Sequence, residues 1–184
     1  RVLVNRIWQQ HFGEGLVSTA SDFGRKGQHA SHPELLDWLA HEFVRNGWSI
    51  KQLHRIILRS WTWQQSTSHP EARDYQKRDP EEKLLWRARV RRLSAEGVRD
   101  SMLMLSGELL DEVGGPGVDE DVPRRALYVK RFRNDNDTFL HAFDMTPGLK
   151  STPQRNETTT PTQALTMING DYVMERAKAW SRRL

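Results

Sequence analysis

The residues best suited to chemistry crowd into one run near the C-terminal end of the chain, Arg155-Asn156-Glu157-Thr158-Thr159-Thr160-Pro161-Thr162-Gln163. A helical pattern begins at Pro161, and a helix start offers free N–H groups and the positive end of the helix dipole to an anion. Arg155, Thr158, Thr159, Thr160 and Gln163 are therefore candidate ligands for sulfate, phosphate or a sugar carboxylate. Arg131 and Asp144 would join them if the intervening segment folds back. The same residues also have a structural use. Thr160 can cap the helix, Pro161 suits the first helical position because its missing N–H needs no partner there, and Gln163 stands where a capping-box side chain reaches back. Both uses stay open from the residues alone.

A second cluster, Arg92, Glu96, Arg99 and Asp100, has spacings of four, three and one. On a helix this puts Glu96 and Asp100 on one face with cations beside them. Two such carboxylates could divide the acid and base roles of glycoside cleavage, and with Asp144 they are the candidate catalytic groups of a hydrolase or lyase in which Arg155 is the electrostatic clamp. An ion-pair network that ties the helix to its neighbours uses the same residues.

Other constellations point away from chemistry. His11, His29, His32, His41, His54, His69 and His141 form no compact ligand set, so neither a metal site nor a cofactor is expected. Arg124-Arg125 and Lys130-Arg131-Phe132-Arg133, with Tyr128 between, would suit phosphate contacts and base stacking, but Asp119, Glu120, Asp121, Asp135 and Asp137 flank them. No nucleic-acid partner is expected. Exposed tryptophans would make sugar platforms, yet Trp38 and Trp61 sit beside apolar helical positions and are expected in the core; Trp48, Trp63 and Trp86 are left undecided.

These side chains must be positioned by helices. Leu3, Ile7 and Trp8 stripe a first helix that Gly13 and Gly15 should end, and Pro33 opens a second carrying Leu35, Leu36, Leu39 and Phe43 up to Asn46-Gly47. Ser49 can cap a third, with Ile50, Leu53, Ile57 and Trp61 on one face, and the short link Gly47-Trp48-Ser49 forces a hairpin. The polar stretch 66–79 reads as turns, and Pro80 opens a short helix through Leu84, Leu85 and Trp86. After Ser94 comes a long helix with Ala95, Val98, Met102, Leu105 and Leu109 inward. Gly114-Gly115-Pro116-Gly117 marks a flexible excursion near 111–124, and Leu127, Tyr128, Val129 and Phe132 suggest one short strand. Asp137 caps a short helix through Phe143, Thr146 to Thr159 is a long loop, and two final helices meet at Asn169-Gly170. The expected fold is mainly α: helical hairpins forming one domain over residues 1–184, with long loops and at most a minor strand pair.

A chain of 184 residues with 36% hydrophobic and 28% charged side chains can bury about 70% of its unfolded surface. The mean hydropathy of −0.75 means that this core must be economical. A formal charge of +4 is too slight to define a polyanion-binding surface by itself, and the absence of Cys excludes disulfides and thiolate metal sites. No run approaches the roughly 18 apolar residues of a membrane span. The opening without Met and the basic helix at the end suggest a piece of a larger protein.

Taken in order, Arg1 to Trp8, Asp22-Phe23-Gly24, His32 to Leu39, Gly47 to Lys51, Asp79-Pro80-Glu81, Arg91 to Glu96, Arg99-Asp100 and Thr158 to Leu165 with Asn169 resemble a planctomycete-associated domain of unknown function. The resemblance implies a C-terminal module of large extracytoplasmic proteins, with cytochrome-c-like and other domains upstream as partners on the same polypeptide. It carries no reaction and no catalytic residues. The expected role is an accessory or binding module, linked to an anionic or polysaccharide ligand; a carboxylate-based hydrolase or lyase and a purely structural docking module are the alternatives.

Overall fold

The computed structural model describes residues 1–132, 137–146 and 152–184, and its packing falls into two compact units, Arg1–Arg91 and Arg92–Leu184. Eight α-helices are present among the described residues, with no sheet. The mainly α expectation holds.

The first unit is built from α1 (Val2–Phe12), α2 (Pro33–Arg45), α3 (Ile50–Leu58) and α4 (Ala72–Arg78), followed by an irregular arm to Arg91. Val4, Ile7 and Trp8 of α1 pack with Leu36, Leu39 and Phe43 of α2, with Leu53 and Ile57 of α3, and with Leu16 and Val17 of the first loop. Asn5, fully buried beneath this loop, pins it: Nδ2 donates to the Val17 carbonyl at 2.9 Å and Oδ1 accepts from the Val17 N–H at 2.8 Å. The approach is so close that a Cβ at Gly15 would lie 2.6 Å from Asn5 Nδ2, which is why the position lacks a side chain. Pro33 opens α2, Gly47 at φ +65° turns the chain after it, and the Ser49 hydroxyl accepts from Gln52 N–H to start α3.

Four expectations fail here. Trp38 lies roughly half a turn around α2 from Leu36 and Phe43, so it faces solvent. Trp61 is 88% exposed because α3 stops at Leu58, where the Ser60 hydroxyl donates to the Ile57 carbonyl at 2.6 Å, and the helical face ends before it. Pro80 opens no helix. The buried Asp79 carboxylate takes the N–H groups of Lys83 and Leu84 at 3.0 and 2.7 Å, while Glu82 and Leu85 adopt left-handed conformations that turn the chain instead. The helix of this region is α4, inside the stretch expected to be turns. Its Tyr75 stacks on Trp86 of the arm at 5.5 Å.

The second unit contains α5 (Ala95–Ser106), α6 (Thr138–Ala142), α7 (Pro161–Asn169) and α8 (Asp171–Ser181). Ser94, Asp137 and Thr160 cap α5, α6 and α7 through their side-chain oxygens. The buried face of α5 runs Ala95, Arg99, Leu103 and Ser106, whereas Leu105 is exposed. An apolar count missed this phase because one of the inward residues is an arginine. Arg99 is 3% exposed and donates to the carbonyls of Arg124, Glu120 and Val122 at 2.7, 3.0 and 3.2 Å. Arg124, also buried, lies over the Tyr128 ring and donates to the carbonyls of Glu112, Gly114 and Pro116. The 111–124 excursion is thus gathered around two guanidinium groups. The strand expected at 127–132 does not form: Ala126–Tyr128 is a 3-10 turn, and only isolated bridges, Leu110 with Arg124 and Val118 with Val129, link the described residues there. Part of the Thr146–Thr159 loop, and Arg133 and Asp135 of the basic patch, lie outside the described residues.

Candidate functional site

In the second unit, the threonine-rich run is drawn against α5 and the end of α6. Arg155 Nη1 donates to both Glu96 carboxylate oxygens, at 2.8 and 2.7 Å. Asp144, held at φ +63°, accepts from the Thr158 N–H at 2.7 Å and from its hydroxyl at 2.8 Å, and Gln163 Nε2 lies 3.4 Å away. Arg92 donates to the Thr158 carbonyl and lies over the Phe143 ring at 5.5 Å. Thr160 and Gln163 complete the reciprocal capping box, at 3.3 and 3.0 Å. Arg155 thus meets Glu96, while Thr158 and Gln163 meet Asp144.

Two candidates take other partners. Asp100 accepts from the Ala126 N–H at 2.8 Å and so supports the 3-10 turn, and Arg131 lies 3.8 Å from the Asp137 carboxylate that caps α6. Thr159 is exposed.

The electrostatics are those of an internally balanced clasp. Burial works against the Glu96 charge, but the Arg155 hydrogen bond and charge outweigh it and hold the carboxyl below its ordinary range. The hydroxyl and N–H of Thr158 lower Asp144 likewise. Both carboxyls stay ionised at neutral pH, which suits a base or an ion-pair partner and is the wrong direction for a general acid.

The first unit holds a different arrangement, which reading by pattern did not find. A cleft of about 220 Å³ opens where the C-terminal turn of α1 meets the arm, with His11, Phe12 and Trp63 on one side and Arg87, Arg89 and Arg91 on the other. Trp63 stands edge-on to His11 and Phe12, at 5.1 and 5.7 Å between ring centres, and Phe12 stacks on Trp8 at 4.1 Å. His11 Nε2 and His54 Nδ1 of α3 share a hydrogen bond of 2.7 Å. Burial, then His54 and Arg91, push the His11 imidazole below its ordinary value.

Arg87 and Arg89 share Glu82, and Arg89 also reaches Glu14 at 2.7 Å. Arg91 instead spends Nη1 on the terminal carbonyls of α1, Gln10 at 2.8 Å and His11 at 3.2 Å. The available signal was the spacing Arg87-x-Arg89-x-Arg91, whose three side chains all line the cleft. Nothing in the sequence told what the segment would face.

No curated protein and no solved structure matches this chain. No helix among the described residues is long and apolar enough to cross a membrane, and no group of three or more metal-ligating side chains gathers among them. One family model covers both units: matched over residues 1–184, the chain belongs to the PSD1 family, described as a protein of unknown function (DUF1553).

Proposed function

We propose that this chain is a non-catalytic binding module of a larger extracytoplasmic protein, and that it holds polysaccharide on the tryptophans of its first unit. The observation that carries this reading is their exposure: Trp38 at 51%, Trp48 at 65%, Trp61 at 88% and Trp63 at 38% all lie within 26 positions of one another in the first unit. An indole face left in water costs hydrophobic free energy, and the apolar face of a sugar ring is a natural partner for it. Trp48 is held as a platform by its edge-on contact with Phe43 at 5.3 Å.

The clasp at Arg155 supports the binding reading over the hydrolase reading. Its carboxylates are held ionised by fixed partners, and glycoside cleavage needs one carboxyl kept protonated near neutral pH. Its cation is already neutralised by Glu96, so the anion-binding role first expected of Arg155 is the weaker use of the segment.

The test is retention on a panel of polysaccharides with Trp48→Ala and Trp61→Ala beside the unaltered chain. Weaker retention with an unchanged melting temperature is expected. Retention that is the same in both variants, or absent on every polysaccharide, overturns the reading.

Docking of another domain is a second reading, favoured by the exposure of Leu165 and Ile168 on α7, at 59% and 66%. Protection of these side chains from surface labelling in the full-length protein, compared with the isolated chain, would support it.

A further inference from the structure

The cleft between α1 and the arm combines three features: a cavity, an aromatic wall and unspent positive charge. The charge can be followed residue by residue. Arg87 and Arg89 are answered by Glu82 and Glu14, while Arg91 has no carboxylate within ion-pair distance among the described residues. The α1 C-terminus holds Arg91 in place with roughly half a negative charge, which leaves the rim positive. Only Nη1 is used in that contact, and the side chain is exposed, so the guanidinium keeps donors for a second acceptor.

We propose that this cleft binds the acidic group, carboxylate or sulfate, of a charged saccharide, with Arg91 as its fixed donor and Trp63 against the sugar ring. The inference rests on the binding reading above and adds the ligand's charge and its seat. An Arg–oxyanion contact beside an aromatic wall fits a uronic acid or a sulfated sugar, whereas a neutral sugar would leave the Arg91 charge without a partner.

The imidazole pair supplies an independent readout. With one proton between Nε2 and Nδ1 the pair is neutral; a further proton can bind at an outer nitrogen, but a second facing N–H would break the bond. The pair therefore carries at most one positive charge while it stays closed. Arg91 disfavours that charge, Arg87 and Arg89 of the same cleft are paired with Glu82 and Glu14, and Trp63 packs edge-on to His11. A bound anion would favour the protonated pair, so binding should take up a proton and tighten as pH falls.

The experiment measures the affinity of the intact chain for three oligosaccharides of one length, neutral, uronic and sulfated, at pH 8 and pH 5.5. The acidic probes are expected to bind at least about tenfold tighter than the neutral one, with the gap widening at the lower pH. Arg91→Gln should remove that preference. The part-exposed Trp63→Ala should weaken all acidic binding while the fold survives, and this variant decides if Arg91→Gln melts early. The uronic and sulfated arms tell which acid is taken.

Equal binding of neutral and acidic probes, or a preference untouched by both variants, overturns the inference and leaves the tryptophan reading standing. Failure of all three probes removes both.

Discussion

The two units of this chain solve the same problem with different materials. The first buries ten apolar side chains from three helices and a loop, with the Asn5 amide as one polar pin. The second buries four in its main cluster and surrounds Arg99 and Arg124 with backbone carbonyls. The contrast teaches where each unit is brittle. An apolar core loses stability in proportion to the volume removed, whereas a guanidinium serving several carbonyls withdraws a donor from all of them at once when it goes.

The largest expected effect tests that contrast directly. Arg99→Met should destabilise the second unit by about 3–5 kcal/mol, since the buried Arg124 carbonyl, the part-buried Glu120 and Val122 carbonyls and Asp100 all lose the guanidinium together. Leu53→Ala in the first unit should cost about 3 kcal/mol through transfer and cavity terms. Residue-resolved denaturation by NMR separates the units; a methionine at position 99 that costs less than the leucine truncation would break the comparison.

Smaller effects sharpen it. Thr160→Ala removes one half of the α7 capping box and should cost about 1 kcal/mol, read from the denaturation midpoint of the second unit. The pair Glu96–Arg155, part-exposed on both sides, should show a coupling of about 0.5–1 kcal/mol in a double-mutant cycle and fade with added salt.

Acid should separate the units further. Because the folded His11 value is lowered, the unfolded chain binds the extra proton first, and the first unit loses stability as pH drops below about 6.5. Glu96 and Asp144 are also lowered, so their contributions are present at neutral pH and disappear below about pH 4. Denaturation midpoints at pH 7.5, 5.5 and 3.5 should fall first in the first unit and later in the second; a simultaneous fall would contradict the assignment.

What could be read from the residues beforehand was whatever local chemistry decides. Ser49, Ser94, Asp137 and Thr160 each accept from the backbone N–H three positions on, so these helix starts were legible without any fold. The Arg155–Gln163 run was legible as a helix start for the same reason, while its balance by Glu96 and Asp144 depends on contacts across 59 and 14 positions. The start of α4 at Glu71 has no side-chain cap and gave no signal. Pro80 gave a false one, because Asp79 took the N–H groups that a helix would have needed free. The cleft was illegible, since the meaning of Arg91 depends on α1 carbonyls 80 and 81 positions earlier.

The placement of the tryptophans has an optical consequence. Trp8, Trp38, Trp48, Trp61, Trp63 and Trp86 belong to residues 1–91, and Trp180 is the single indole of residues 92–184. Intrinsic fluorescence therefore watches one half of the molecule, and its unfolding curve would look two-state even if the other half had already melted. Agreement between fluorescence and far-ultraviolet dichroism would be informative for this chain, and disagreement would report the order in which its halves come apart. Trp63, edge-on to His11, is the indole that a newly charged imidazole would quench.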